Sequence, residues 1–113
     1  MPTALHDVRV LDLSRQLPGP FCAMMLGDLG ADVLTIAAPN DPLGAGLPLL
    51  ARNKRHMTLN LKSDEGRQVF AKLATRADVV LEGFRPGVTA KLGIDYPRLA
   101  PANPRLIYCS ISG

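Results

Sequence analysis

The chain has 113 residues, 47% of them apolar and 20% charged, with a formal net charge of +3. That balance describes one globular domain and excludes a disordered tail. The small charge, with only Phe21, Phe70, Phe84, Tyr96 and Tyr108 as aromatics, also argues against a dedicated nucleic-acid surface, which concentrates basic residues and stacking rings.

The apolar run at residues 8–13 predicts a buried strand, and "SRQLPGPFCAMML" after it predicts a turn into a helix. Pro20 suits the first turn of that helix, where a missing N–H costs nothing. Phe21, Met24, Met25 and Leu29 are spaced for its apolar face, and Gly30 suits the residue after its end. Residues 32–36 predict the second strand. "PNDPLGAG", residues 39–46, reads as a loop, and residues 57–61 as a short strand. Ser63 predicts an N-cap, with Asp64 and Glu65 at the positive end of a second helix. Val69, Phe70, Leu73 and Ala74 form its inward face. Residues 79–81 predict a buried strand followed by "EGFRPG", then short helices at residues 88–92 and 96–99, and a last strand at residues 106–111.

Strands alternating with helices predict an α/β fold with a parallel sheet covered by helices on both faces. Such sheets bind ligands at the carboxyl ends of their strands. The segments to inspect are therefore residues 14–20, 37–40 and 82–87, and whatever follows Ile111. The sequence stops at "SISG", with no helix to cover the last strand, so a truncated domain with a sticky strand edge is expected.

The turn at residues 14–20 is a poor dinucleotide loop. Such loops present backbone N–H groups to a pyrophosphate, and Pro18 and Pro20 have none. The acidic residue that would hold a ribose is also missing, because Ala37 and Ala38 stand after the second strand. What remains is a rigid apolar wall, suited to an acyl chain or pantetheine arm. "ARNKRH", residues 51–56, and Lys62 form a basic cluster that holds phosphates or is simply solvated. In "EGFRPG", Gly83 permits close approach, Phe84 offers an apolar face, and Arg85 reaches for an anion; alternatively Phe84 folds into the core. His56 has no evident partner. Cys22 lies early in an apolar helix, where the helix dipole favours its thiolate, but no nearby histidine serves as base, so packing is expected. Cys22 and Cys109 make no disulfide framework or metal site; two buried thiols in a cytoplasmic protein are expected. No stretch has signal-peptide character or the ~20 apolar residues of a membrane span. Asp12, Asp28, Asp32 and Asp78 flank element ends without forming an acid–base pair.

Four segments, "RVLDLSRQLPGPFCAMMLGDLGADV", "NKRHMTLNLKSDEG", "ADVVLEGFRPGVTAKLGI" and "NPRLIYCSISG", occur in an order and spacing that resembles the N-terminal part of family III CoA-transferases. This CaiB/BaiF superfamily also contains α-methylacyl-CoA racemases. The resemblance implies that residues 1–113 are the N-terminal part of a Rossmann-like large domain that binds coenzyme A, the rest of that domain and a small domain being absent. It implies acyl-CoA and carboxylic acids as small-molecule partners, no metal, no nucleic acid or membrane, and a homodimer of interlocked chains. CoA contacts would fall on Gln16, Leu17, Pro18, Leu59, Lys62, Gly83, Phe84, Arg85 and Lys91. The transferase aspartate, or the racemase histidine and aspartate, would lie beyond this segment. The short loop after Ala38 and "LEGFRPGVT" look more like the racemase branch. Family members commonly carry an acidic residue and an arginine where this chain has Ala37 and Ala38, which implies weaker CoA binding or a different partner for the adenine.

Overall fold

The computed structural model describes residues 3–40 and 48–112. Most of the loop expected at residues 39–46 lies outside the described residues. The order is β1 (Arg9–Leu13), α1 (Pro18–Asp28), β2 (Asp32–Ala37), β3 (Lys54–Thr58), α2 (Asp64–Ala74), β4 (Val79–Glu82), α3 (Val88–Leu92), α4 (Tyr96–Leu99) and β5 (Ile107–Ser110). Short 3₁₀ helices occupy Pro48–Ala51 and Ala100–Ala102. The five strands are all parallel, in the order β3-β2-β1-β4-β5. This is the expected α/β fold with a Rossmann-like sheet.

The central strand β1 is buried on both faces, and its alternating side chains serve two cores. Val10 packs with Val33, Leu81 and Ala23 of α1. Leu11 and Leu13 pack with Ile36, Val80, Phe70 and Ala74 of α2 and Leu99 of α4. Ser63 caps α2 as expected, its Oγ accepting from the Gly66 N–H at 3.0 Å. Gly30, at φ 104°, follows the end of α1 and lets the chain turn into β2.

Several expectations need correction. Helix α1 starts at Pro18, inside the segment expected to be the turn, and Pro20 lies in its first turn as expected. Pro18, Gly19 and Pro20 can all occupy the first turn because the N–H groups there need no helical partner. The third strand is Lys54–Thr58 rather than residues 57–61, because its register is set by pairing with β2. Only Met24 of the four spaced apolar residues of α1 is buried; Phe21, Met25 and Leu29 are exposed, as is Val69 of α2. Cys109 is exposed on β5 and Cys22 half-buried, so the thiols are not a buried pair. Among the described residues, no helix is long and apolar enough to cross a membrane.

Candidate functional site

The carboxyl ends of the strands surround a cleft of about 420 Å³, within the size range of small-molecule sites. Each strand that reaches it delivers a different wall. β1 contributes Leu13 and then Arg15; β2 contributes Ile36 and Ala37, followed by Ala38 and Asn40. Residues 59–62 enter after β3, Phe84 after β4, and α3 adds Val88 and Leu92. The lining is mostly apolar. Among the described residues, Arg15 and Lys62 are its only charged side chains.

Both cations are placed by local structure. The Arg15 guanidinium lies over the Phe84 ring, 5.7 Å from its centroid, a cation–π arrangement that leaves its N–H groups available. Lys62 opens the turn into α2: its N–H donates to Asn60 Oδ1 at 3.0 Å, and the next residue is the Ser63 cap. Phe84 is half-buried against the core and also lines the cleft, so the two roles weighed for it coexist.

Of the nine residues expected to contact a ligand, Leu59, Lys62 and Phe84 meet in this cleft. Gln16, Leu17 and Pro18 form the neighbouring β1–α1 turn. Gln16 has φ 68°, in the left-handed region, and Leu17 is the exposed N-cap of α1. Within the first turn of α1 only Gly19 retains an N–H, which agrees with a wall rather than a phosphate cradle. Gly83 and Arg85 follow β4 at the rim. A Cβ on Gly83 would meet nothing closer than the Ile111 carbonyl oxygen at 3.5 Å, an ordinary contact, so the fold itself does not demand glycine there. Lys91 is exposed on α3, outside the lining.

Arg15 and Asn40 fall in the strand-end segments expected at the site, residues 14–20 and 37–40, without being among the nine expected contacts, whereas Asn60, Val88 and Leu92 were not expected there. The position of Arg15 directly after a central strand was an available signal; the others depend on how loops fold back. The basic cluster at residues 51–56 does not act as a unit. Arg52 pairs with Asp28 at 2.7 Å and Arg55 with Asp32 at 2.8 Å, while His56 is exposed on the edge strand. Hydrogen bonds from Arg52 and Asn53 hold the Asp28 carboxyl below its ordinary range.

Lys54 departs most from the solvated cluster. Its side chain is 3% exposed and its Nζ lies 3.6 Å from Asp12 Oδ2, whose side chain is 1% exposed. Burial pushes the Lys54 ammonium below its ordinary value, against the pull of Asp12. Burial pushes the Cys22 thiol up, so the helix dipole does not produce a reactive thiolate there. No group of three or more His, Cys, Asp or Glu able to hold a metal occurs among the described residues.

The chain matches the family model for CoA-transferase family III over residues 5–113. It is 41% identical to the succinyl-CoA:mesaconate CoA-transferase of Haloarcula marismortui, over 97% of this chain and 32% of that protein. It is 44% identical to the alpha-methylacyl-CoA racemase of Mus musculus, over 96% of this chain and 28% of that protein. The fold superposes on the crystal structure of Rv3272 from Mycobacterium tuberculosis with a TM-score of 0.92 and 36% identity, covering 98% of this chain and 34% of that one. A CAIB/BAIF family protein from Brucella suis matches with a TM-score of 0.90 and 36% identity, over 100% and 34% of the two chains. The chain thus spans about a third of the length of these relatives.

Proposed function

The chain belongs to CoA-transferase family III, and from that premise we propose that its cleft is the coenzyme A site of an enzyme that moves CoA between carboxylic acids. The observation that carries this reading is the make-up of the cleft: apolar walls at the strand ends with Arg15 and Lys62 as its charged groups. The apolar walls suit the pantetheine arm, and the two cations suit phosphates. Leu59 and Phe84 flank the ligand, Gln16, Leu17 and Pro18 form a stiff side, Gly83 lets it approach, and Arg85 and Lys91 reach phosphates from the rim. In this reading residues 1–113 are the first part of the large domain, the protein is cytoplasmic, and two chains form a homodimer.

The transfer itself would use an aspartate that no residue of this chain matches. Its carboxylate attacks the acyl-CoA carbonyl, forming a mixed anhydride and releasing CoA thiolate. The thiolate then opens the anhydride at the aspartyl carbonyl, leaving an aspartyl–CoA thioester and the free acid. A second acid attacks that thioester, and its own anhydride is opened by CoA to regenerate the aspartate. The 113-residue chain therefore binds CoA and does not turn over. Racemisation of a 2-methylacyl-CoA is the second reading, favoured by the 44% identity to the mouse racemase.

Calorimetric titration of CoA into the chain tests the binding reading. Lys62→Ala is expected to weaken binding by roughly 10-fold to 100-fold, the range for losing a hydrogen bond to a charged group; Arg85→Ala is expected to weaken it less. An absence of binding heat, with no effect of either substitution, would remove CoA from the cleft. Transfer of CoA between two acids by this chain alone would overturn the assignment of the nucleophile to another segment.

A further inference from the structure

We propose that the buried Asp12–Lys54 pair is a positioning clasp for the β1–α1 turn, holding the start of the turn that carries Arg15 to the cleft and the first helical turn that follows it. One carboxylate oxygen of Asp12 holds the start: Oδ1 accepts from the Ser14 backbone N–H at 2.9 Å and also from the Ser14 hydroxyl. Lys54 holds the far side, its Nζ donating to the carbonyl oxygen of Pro20 in the first turn of α1 at 3.0 Å. The two halves are joined by the ion pair, and Thr35 Oγ1 donates to Asp12 Oδ2 at 3.2 Å from the strand between them. Lys54 stands on β3 and Asp12 on β1, so the lysine reaches across β2 to close the network.

The turn needs such a hold. Gln16 sits at φ 68°, a conformation a non-glycine residue enters at a cost. Pro18 and Pro20 deprive the segment of two backbone donors that would otherwise help fix it. A buried ion pair is also a poor choice for stability alone, since well-packed apolar residues of similar volume often serve as well or better. Here its hydrogen bonds go to the first residue of the β1–α1 turn and to the first helical turn that follows it, and the segment between them delivers Arg15 to the cleft. Asp12 and Lys54 therefore act through the turn and not by touching the ligand. The consequence for ligand binding rests on the CoA reading; the hold on the turn does not.

The test compares Asp12→Asn/Lys54→Met with the unaltered chain by amide hydrogen exchange and by CoA titration. Removing both partners avoids leaving one buried charge alone, so the double variant is expected to keep its sheet while each single variant loses stability. Exchange at the Ser14 and Phe21 amides, which donate to Asp12 Oδ1 and to the Leu17 carbonyl oxygen, should quicken by about tenfold or more with β4 amides unchanged, and CoA affinity should fall by about tenfold. Thr35→Val, which touches the network away from the turn, should leave the turn amides as they are. Ser14→Ala, a milder cut that keeps the ion pair, should quicken exchange in the turn even if the double variant does not fold. Unchanged turn exchange in the variants that fold overturns the clasp. Looser turn amides with undiminished CoA affinity overturn its role in binding. Looser turn amides in a chain that binds no CoA in any form uphold the clasp and overturn the CoA reading.

Discussion

Gly19 shows how tightly single residues are constrained beside the cleft. A Cβ there would lie 2.1 Å from the Ser14 Cβ and 2.6 Å from its hydroxyl, so α1 can approach the turn only because the side chain is missing. Gly19→Ala is expected to cost at least about 2 kcal/mol, read as a lower urea midpoint with an unchanged slope. Tyr108 is constrained differently. Its hydroxyl donates to the Ile94 carbonyl oxygen at 3.0 Å, and burial pushes its phenol up to about 12 from an ordinary 10.0. The folded chain thus keeps this proton after the unfolded chain has lost it, and the stability it contributes declines as pH rises from 10 towards 12. Ultraviolet titration of Tyr96→Phe, which leaves Tyr108 as the one tyrosine, should show ionisation near the upper value, with stability falling over the same interval.

At the level of elements, α2 is the most self-consistent. Ser63 Oγ accepts from the Gly66 N–H and donates to the Asn60 carbonyl oxygen at 2.9 Å, while Phe70 is wholly buried. Ser63→Ala should lower stability by about 1 kcal/mol in chemical denaturation, the usual loss for an N-cap. This helix was legible in the sequence because cap, early carboxylates and apolar spacing agree. The strand–helix alternation was legible for the same reason: strands buried on both faces appear as continuous apolar runs. Helix α1 was harder, because its apolar residues surround the axis and leave no polar stripe to mark the outer face. Nor could the sequence separate Lys54 from Arg52 and Arg55, since strand register turns Lys54 inward and Arg55 to a surface partner, while Arg52, before the strand, pairs with Asp28 at the end of α1. Leu59, Lys62 and Phe84 were recognisable as cleft residues through the family resemblance and their places at strand ends. Arg15 fell in the expected segment 14–20 but was not singled out within it, because its role depends on a ring 69 positions away, at Phe84.

At the level of the whole molecule, the two sheet faces differ in how completely they are covered. Leu17, Phe21, Met25 and Leu29 are each 46–55% exposed, at four-residue spacing along one side of α1. Ile107 of β5 is 62% exposed as well. Apolar surface arranged this way favours association. Light scattering of the chain at rising concentration should show self-association, and Phe21→Glu/Met25→Glu should reduce it while lowering the unfolding free energy by no more than ~0.5 kcal/mol per substitution, as expected for exposed positions. The strand order has a separate consequence for how the protein is made. Of the five strands β1 leaves the ribosome first and pairs with β2, which β3 then joins on its far side, but the other edge of β1 stays open until Val79–Glu82 has emerged. Nascent chains stalled with β4 still in the exit tunnel should therefore be digested readily by protease and engaged by chaperones, whereas those stalled after its release should resist. The first of the five strands to be made gains its second neighbour only after β2 already has both of its own.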